Sequence, residues 1–229
     1  MIYASTSHVG LVKKENQDAL GHIDTELGSL FVVCDGVSGL PNGALASQIA
    51  LDSILADYSK SSRSSEKRLK SAMQCGQKSV MKANPKPLGT TAAVCSINED
   101  IAYISWCGDS RIYHFRCGNI IWMSLDHNIL HDLLNKGSGR GGMFMNPRAL
   151  NRFFGREFEV KPDYYSIKIE KGDQILICSD GLSNFLSEPD IIYYVTNNAP
   201  QIASNLMEKK LLSREIGAPD NFTWYIIHI

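Results

Sequence analysis

A chain of 229 residues, 44% apolar and 21% charged, has ordinary globular composition and is long enough to bury a core as one domain spanning 1–229. Its net charge of −1 carries no electrostatic footprint for nucleic acid or for acidic substrates. Six cysteines without a single C-x-x-C pair argue against zinc and thioredoxin-like chemistry; Cys34, Cys95, Cys107 and Cys178 lie in apolar runs and read as reduced core thiols of a cytoplasmic protein.

In chain order, residues 2–7 read as a first strand and residues 30–34, LFVVC, as a clear second one. Residues 42–58 place Leu45, Ile49, Leu51, Ile54 and Leu55 at helical spacing. A polar, Ser-rich break over 59–65 precedes a second helix over 66–83, which Pro85 and Pro87 end. A β-rich block follows at 90–97, 101–106, 111–116 and 120–124, with Cys117-Gly118-Asn119 as a hairpin turn between the last two strands. Residues 126–135 read as a short helix, and the glycine-rich GSGRGGMFMNPR after it as a mobile loop. Strands at 164–169 and 174–178 read as a hairpin around Lys171-Gly172-Asp173. Ser187 and Asp190 bracket Pro189 in a helix-capping pattern, a further helix runs from Pro200 to about 213, and residues 222–229 form a closing strand. A helix pair, a meander, more helices and a final strand predict an α+β fold of two packed sheets with helices outside. The N-terminus MIYASTSHVGLVKK lacks a basic segment followed by an apolar run, so no signal peptide is expected. No apolar run approaches the ~20 residues that span a membrane.

The chemistry concentrates in aspartates at strand ends. Asp35, Asp109 and Asp180 each follow an apolar run by at most two residues; Asp220 stands just before the last strand, and Asp18 follows Glu15-Asn16-Gln17. Gly36, Gly108 and Gly181 flank the first three, and glycine lets a backbone approach a ligand and aim its carbonyl at a cation. A carboxylate at the end of a buried strand is costly to desolvate without a positive or donating partner. Several at one end of a sandwich repel each other, and a hard divalent cation bound through oxygens resolves the conflict. Without a His/Cys ligand set, Mg2+ or Mn2+ suits such a site better than zinc or copper. Taken singly, each Asp-Gly reads more simply as a turn or a helix cap. Turns do not require acids at the end of every central strand.

The ordered set G-x-V-x-x-x-N-Q-D (10–18), VCDGVSG (33–39), GTTA (89–92), GDSR (108–111), Asp126-His127, SDGL (179–182) and Asp220-Asn221 resembles the protein phosphatase 2C family of metal-dependent protein phosphatases. Each motif is weak alone; seven in order cover nearly the whole chain. The resemblance implies a four-layer αββα sandwich with two Mn2+ or Mg2+ ions between mainly antiparallel sheets. Carried over position by position, it implies that Asp35 bridges both ions, that the Gly36 carbonyl ligates the second, and that Asp180 and Asp220 hold the first. Asp18 acts mostly through metal-bound waters, with Gln17 nearby. The catalytic roles fall to Asp35, Asp18 and Lys13, and a metal-activated water attacks phosphorus in line. A cysteine nucleophile is not needed, and no cysteine is followed by arginine at the C-x₅-R spacing.

The chain departs from the family pattern in several places. Lys13 stands where the family usually has a phosphate-gripping arginine; it supplies charge without a two-pronged contact, or is a plain surface lysine. Val37 replaces a histidine that follows Asp-Gly in some members, which leaves the proton donor to water, and Ser38 replaces a glycine. Asn184 occupies the place of a third-metal aspartate whose partner would be Asp109, so a third ion is expected to be absent or weak, with Asp109 leaning on Arg111. His127 is read as structural, Arg111 as pairing with carboxylates around the site, and Gly89, Thr90 and Thr91 as packing behind it. A flap is expected within 127–160, with GSGRGG at its centre and Arg140 facing an acidic or phosphorylated partner, or as a linker without a ligand.

The resulting expectation is a stand-alone bacterial-type serine/threonine protein phosphatase. It would be a cytoplasmic monomer acting on the phosphorylated substrates of a protein kinase, with no nucleic-acid or membrane partner. Two alternatives stay open: a catalytically weak phosphoprotein-binding regulator on the same fold, and a hydrolase of small phosphoesters.

Overall fold

The computed structural model describes residues 1–62, 64–83, 85, 87–136, 149–156, 158 and 160–229. The GSGRGG stretch and Arg140 lie outside these described residues. Two five-stranded sheets face each other, and every paired neighbour is antiparallel. One sheet contains β2 (Asp18–Thr25), β3 (Gly28–Asp35), β4 (Ala92–Asn98), β5 (Ile101–Cys107) and β8 (Asp163–Lys168), in that spatial order. The other runs β1 (Ile2–His8), β10 (Phe222–His228), β9 (Gln174–Cys178), β6 (Arg111–Arg116), β7 (Asn119–Met123). Helices α1 (Gly43–Lys60) and α2 (Ser65–Lys82) pack on the first sheet. Helices α5 (Glu188–Asn197) and α6 (Pro200–Leu211) pack on the second. Short α3 (Ile129–Lys136) and α4 (Asp180–Ser183) complete the order. The layers are those of an αββα sandwich.

The continuous apolar runs follow from this layering. Strands alternate side chains between two faces, so a strand covered on both sides must be apolar throughout. In β3, Leu30, Val32 and Cys34 face the α1/α2 layer, while Phe31 and Val33 enter the core between the sheets. In β9, Ile175 and Ile177 face that inter-sheet core, and Leu176 and Cys178 face the α5/α6 layer. In α1 the buried stripe runs through Ala46, Ala50, Leu51, Ile54 and Tyr58, whereas Leu45 is 41% exposed. Small alanines let the helix lie close to the sheet, a feature that the spacing of large apolar residues did not convey. The cap expected at Ser187 is present: its Oγ accepts from the Asp190 N–H at 3.3 Å.

One expected hairpin is absent. Residues 163–168 and 174–178 do not pair with each other; β8 belongs to one sheet and β9 to the other. The Lys171-Gly172-Asp173 turn carries the chain from layer to layer, held by Gly172 at φ +96° and by two backbone bonds to Ile229, just after β10: the Gly172 N–H donates to the Ile229 carbonyl and the Ile229 N–H to the Asp173 carbonyl. Two apolar strands beside a Gly-Asp turn look alike whether they pair or diverge. Asp173 secures this end of the sandwich, accepting from His114 Nε2 at 2.7 Å and from both Arg116 Nε and Nη2.

The end carrying Asp35 is formed by tight backbone contacts. A Cβ on Gly181 would lie 1.8 Å from the Asn221 carbonyl oxygen, and one on Gly36 would lie 2.5 Å from the Gly43 backbone. These glycines are therefore needed for neighbouring segments to close over the strand ends. We predict that Gly181→Ala lowers stability by about 2–4 kcal/mol, because the added methyl forces α4 away from the Asn221 backbone at the entrance to β10. Gly172→Ala meets open space and bears only its positive φ, a cost of about 1 kcal/mol. Urea denaturation of both variants measures the difference.

Candidate metal and phosphoryl site

Antiparallel pairing gathers the aspartates. Asp18 opens β2 directly opposite Asp35, the last residue of β3. Asp109 follows β5, Asp180 follows β9 and Asp220 precedes β10, so both sheets deliver acids to the same end. A cavity of about 420 Å³ opens there, and Asp35, Asp109, Asp126, Asp180 and Asp220 all line it. Asp18 sits behind this wall and accepts from Ser179 Oγ at 2.8 Å.

The strand ends are braced by hydroxyls. Thr91 Oγ1 accepts from the Asp35 N–H at 3.0 Å, and the Asp35 carbonyl accepts from Thr90 Oγ1 at 3.0 Å and from the Thr91 N–H at 2.8 Å. Thr91 also meets Ser110 across the sheets at 2.6 Å. The expected support of Thr90 and Thr91 behind the site is thus explicit. His127 is structural as expected: its Nδ1 accepts from the Gly108 N–H at 3.1 Å, its Nε2 faces Asp163, and it stacks on Trp106. Burial pushes its pKa down to about 4, keeping it neutral.

Electrostatics set the character of the cleft. Burial first, then the charges of Asp18 and Asp180, hold Asp35 far above the usual carboxylate range. Burial raises Asp18 to about 6; the Ser179 hydrogen bond opposes that rise and the Asp180 charge adds to it. Asp109 rises to about 7 through burial and the charges of Asp180 and Asp126. Asp180 is raised by burial and by Asp220. Cations do not balance this set. Arg111 is committed to Asp126 through two 2.7 Å bonds, and Lys13 forms its ion pair with Asp220, at 2.9 Å. Arg111 pairs with a carboxylate of the site as expected, namely Asp126, which takes the fork of the guanidinium; toward Asp109 it acts only through its charge, which opposes the rise of that carboxyl. Asn184 turns its amide to Asp180, donating from Nδ2 to Oδ2 at 3.0 Å.

A hard divalent cation fits this cleft, whose charged donors are oxygens, mutually repelling and short of counter-charge. Among the described residues, no three His, Cys, Asp or Glu side chains close into a ready-made cage. The carboxylates reach the cavity from different strands, and Asp35 lies within hydrogen-bonding reach of Asp18 and Asp180. The thiols take no part: burial pushes Cys95, Cys107 and Cys178 up to about 12 and Cys34 higher still.

Three contributors had no assigned role in the sequence reading. Asp126 is the partner of Arg111, and Ser179 orients Asp18. Asn221 is buried and ties the segment between β1 and β2 to β10: its Nδ2 donates to the Val9 and Glu15 carbonyls at 2.8 and 2.9 Å, and its Oδ1 accepts from the Gln17 N–H at 2.9 Å. All three belong to recognised motifs, but which atoms they bond depends on the packing of distant segments.

Comparison with known proteins identifies the family and the fold. A family model described as Protein phosphatase 2C matches residues 6–213. Protein phosphatase PhpP of Streptococcus pneumoniae is 25% identical over 231 residues, covering 94% of this chain and 92% of its own. The crystal structure of the Ser-Thr phosphatase MsPP from Mycobacterium smegmatis, in complex with cacodylate, superimposes with a TM-score of 0.84 at 26% identity, covering 100% and 98%. The catalytic domain of the phosphatase PstP, solved with 2 manganese ions, gives a TM-score of 0.80 at 25% identity over 98% and 96% of the two chains.

The raised acids make a pH prediction for the metal-free protein. A carboxyl whose folded pKa exceeds its unfolded one contributes stability below its usual value of 3.8, lost as pH rises, here through about 7 for Asp109. Asp109→Asn removes that loss. In EDTA it is expected to raise the melting temperature by roughly 2–6 °C at pH 8 and to change it little at pH 4. Thermal melts of both proteins at the two pH values measure this.

Proposed function

The chain belongs to the protein phosphatase 2C family and is a metal-dependent serine/threonine protein phosphatase; we propose that it works through two divalent cations held between Asp35, Asp18, Asp180 and Asp220. The observation that carries this reading is the convergence of half-buried carboxylates from both sheets on one cavity with too few cations to neutralise them. The 2 manganese ions of the PstP relative support Mn2+ or Mg2+ as the metal and two as the number.

When bound, such ions neutralise the carboxylates, lower the pKa of a water and take up charge on phosphoryl oxygens. The chain's own residues do the rest. Asp35, fixed on both sides of its peptide by Thr90 and Thr91, would hold the metal from the first sheet, with the Gly36 carbonyl beside it. Asp180 and Asp220 would hold metal from the second sheet. Asp18, oriented by Ser179, would stand behind the metal as a hydrogen-bond acceptor. Lys13 brings an ammonium to the phosphoryl group as a point charge. Val37 lines the cavity where a general acid could stand and offers no proton, so the leaving alkoxide takes its proton from solvent. Arg111, locked to Asp126, forms a fixed cationic wall.

We further propose that a third ion near Asp109 is weak. Asn184 contributes no charge there and spends an amide N–H on Asp180. Phosphoproteins are the substrates, and the reaction opposes a serine/threonine kinase. Free cysteines support a reducing compartment such as the cytoplasm, and we propose a monomer. No helix among the described residues is long and apolar enough to cross a membrane.

EDTA is expected to abolish turnover of a phosphothreonine peptide and of an aryl phosphate, and Mn2+ to restore both. Asp35→Asn should be the most damaging single change, costing at least 10³-fold, about 4 kcal/mol, in kcat. Phosphothreonine and phosphotyrosine peptides assayed side by side, with small metabolite phosphates as controls, separate the three substrate classes. Full activity in EDTA, or an active Asp35→Asn protein, contradicts the two-metal reading.

A further inference from the structure

Two of the positions that depart from the family pattern, Lys13 and Ser38, touch each other. Lys13 Nζ donates to Ser38 Oγ at 3.3 Å and forms its ion pair with Asp220 Oδ1 at 2.9 Å. The same Asp220 oxygen accepts from the Asn221 N–H at 2.9 Å. The backbone beneath Lys13 is pinned. The Leu11 N–H donates to the Ala218 carbonyl at 2.8 Å, Asn221 holds Val9 and Glu15, and Gly10 at φ +80° lies so close that a Cβ would come 2.3 Å from the Asp220 carbonyl oxygen. The loop is therefore fixed against the Asp220 segment, and what remains free to move is the four-carbon stem of the lysine, about one-third exposed.

We propose that Lys13 is a latch: its ammonium occupies Asp220 while metal is absent, with Ser38 as its second anchor, and passes to the phosphoryl oxygens of the substrate once a divalent cation takes Asp220. This rests on the metal reading above. An ammonium and a divalent cation cannot both neutralise one carboxylate without repelling each other, so each opposes the other's binding. Lys13 thus lowers metal affinity in the resting enzyme and raises affinity for phosphate in the loaded one. A residue with a merely structural role would not move these two affinities in opposite directions.

Calorimetric titration tests this with Mn2+ on the metal-free protein, then with inorganic phosphate on the Mn2+-loaded protein. Lys13→Met is expected to bind Mn2+ about fivefold tighter, the size of a partly exposed ion pair. It should bind phosphate about tenfold more weakly, the size of one charge-assisted contact. Lys13→Arg should return both values toward those of the unmodified protein. Ser38→Gly should tighten Mn2+ by a smaller factor. Both side chains lie on a solvent-facing loop edge, and melting curves without metal verify folding. Mn2+ affinity that is unchanged or weaker in Lys13→Met overturns the latch, and unchanged phosphate affinity overturns the transfer to substrate. An unmodified protein that binds no Mn2+ overturns the metal reading itself, and the latch with it.

Discussion

Carboxylates of one sign, carried to one cleft by five different strand ends, repel one another, and the fold must hold them there regardless. Asp35 is the extreme case, with its pKa driven up by burial and by Asp18 and Asp180 together. The backbone around it is correspondingly over-determined. Thr90 and Thr91 brace its peptide, Gly36 and Gly181 allow neighbouring segments to close within van der Waals contact, and Ser179 fixes the acid behind it. Protein hydrogen bonds position these groups but do not neutralise them. Divalent cations supply the missing charge, so that binding metal and completing the cleft become one event.

The scaffold explains how one small domain sustains this strain. Three apolar layers, outside each sheet and between the two, bury β3, β9 and β10 on both faces. Stability comes from those layers and from the opposite end, where Asp173 is satisfied by His114, Arg116 and the Glu170 N–H. The cleft end is thereby free to carry an unfavourable charge arrangement, as functional sites do when the surrounding structure over-determines them. Two cations at its rim are already committed: Arg111 permanently to Asp126, Lys13 to Asp220 through a contact that a metal ion can displace.

Much of this was legible in the sequence because the two signals are local. LFVVC and QILIC are apolar on successive residues because both faces are covered, and the acids that end them follow directly. The fold class, most strands and the helix pair read correctly on that basis. What stayed hidden depends on distant partners. Strand β2 was missed because its alternation, DALGHIDT, is partly polar on an edge strand. The turn at 171–173 was read as a hairpin because sequence does not say whether adjacent strands stay in one sheet. At the site, Asp18, Asp35, Asp109, Asp180 and Asp220 were all identified and do share one end of the sandwich. The partner of Arg111 was not, since Asp126 and Asp109 are both plausible acids until the cross-strand geometry is known. Asn221 was a motif letter whose three bonds to the first loop only folding reveals.

The central claim is that one carboxylate, Asp35, is shared between two divalent cations in a cleft whose acids otherwise repel. A crystal structure of the protein soaked in Mn2+, with anomalous scattering recorded at the manganese edge, addresses it without reference to activity. The account predicts two manganese peaks within the cavity, both ligated by the Asp35 carboxylate, with Asp180 and Asp220 on one of them and Lys13 withdrawn from Asp220. A single peak that does not touch Asp35, or manganese bound only outside the cleft, would contradict it.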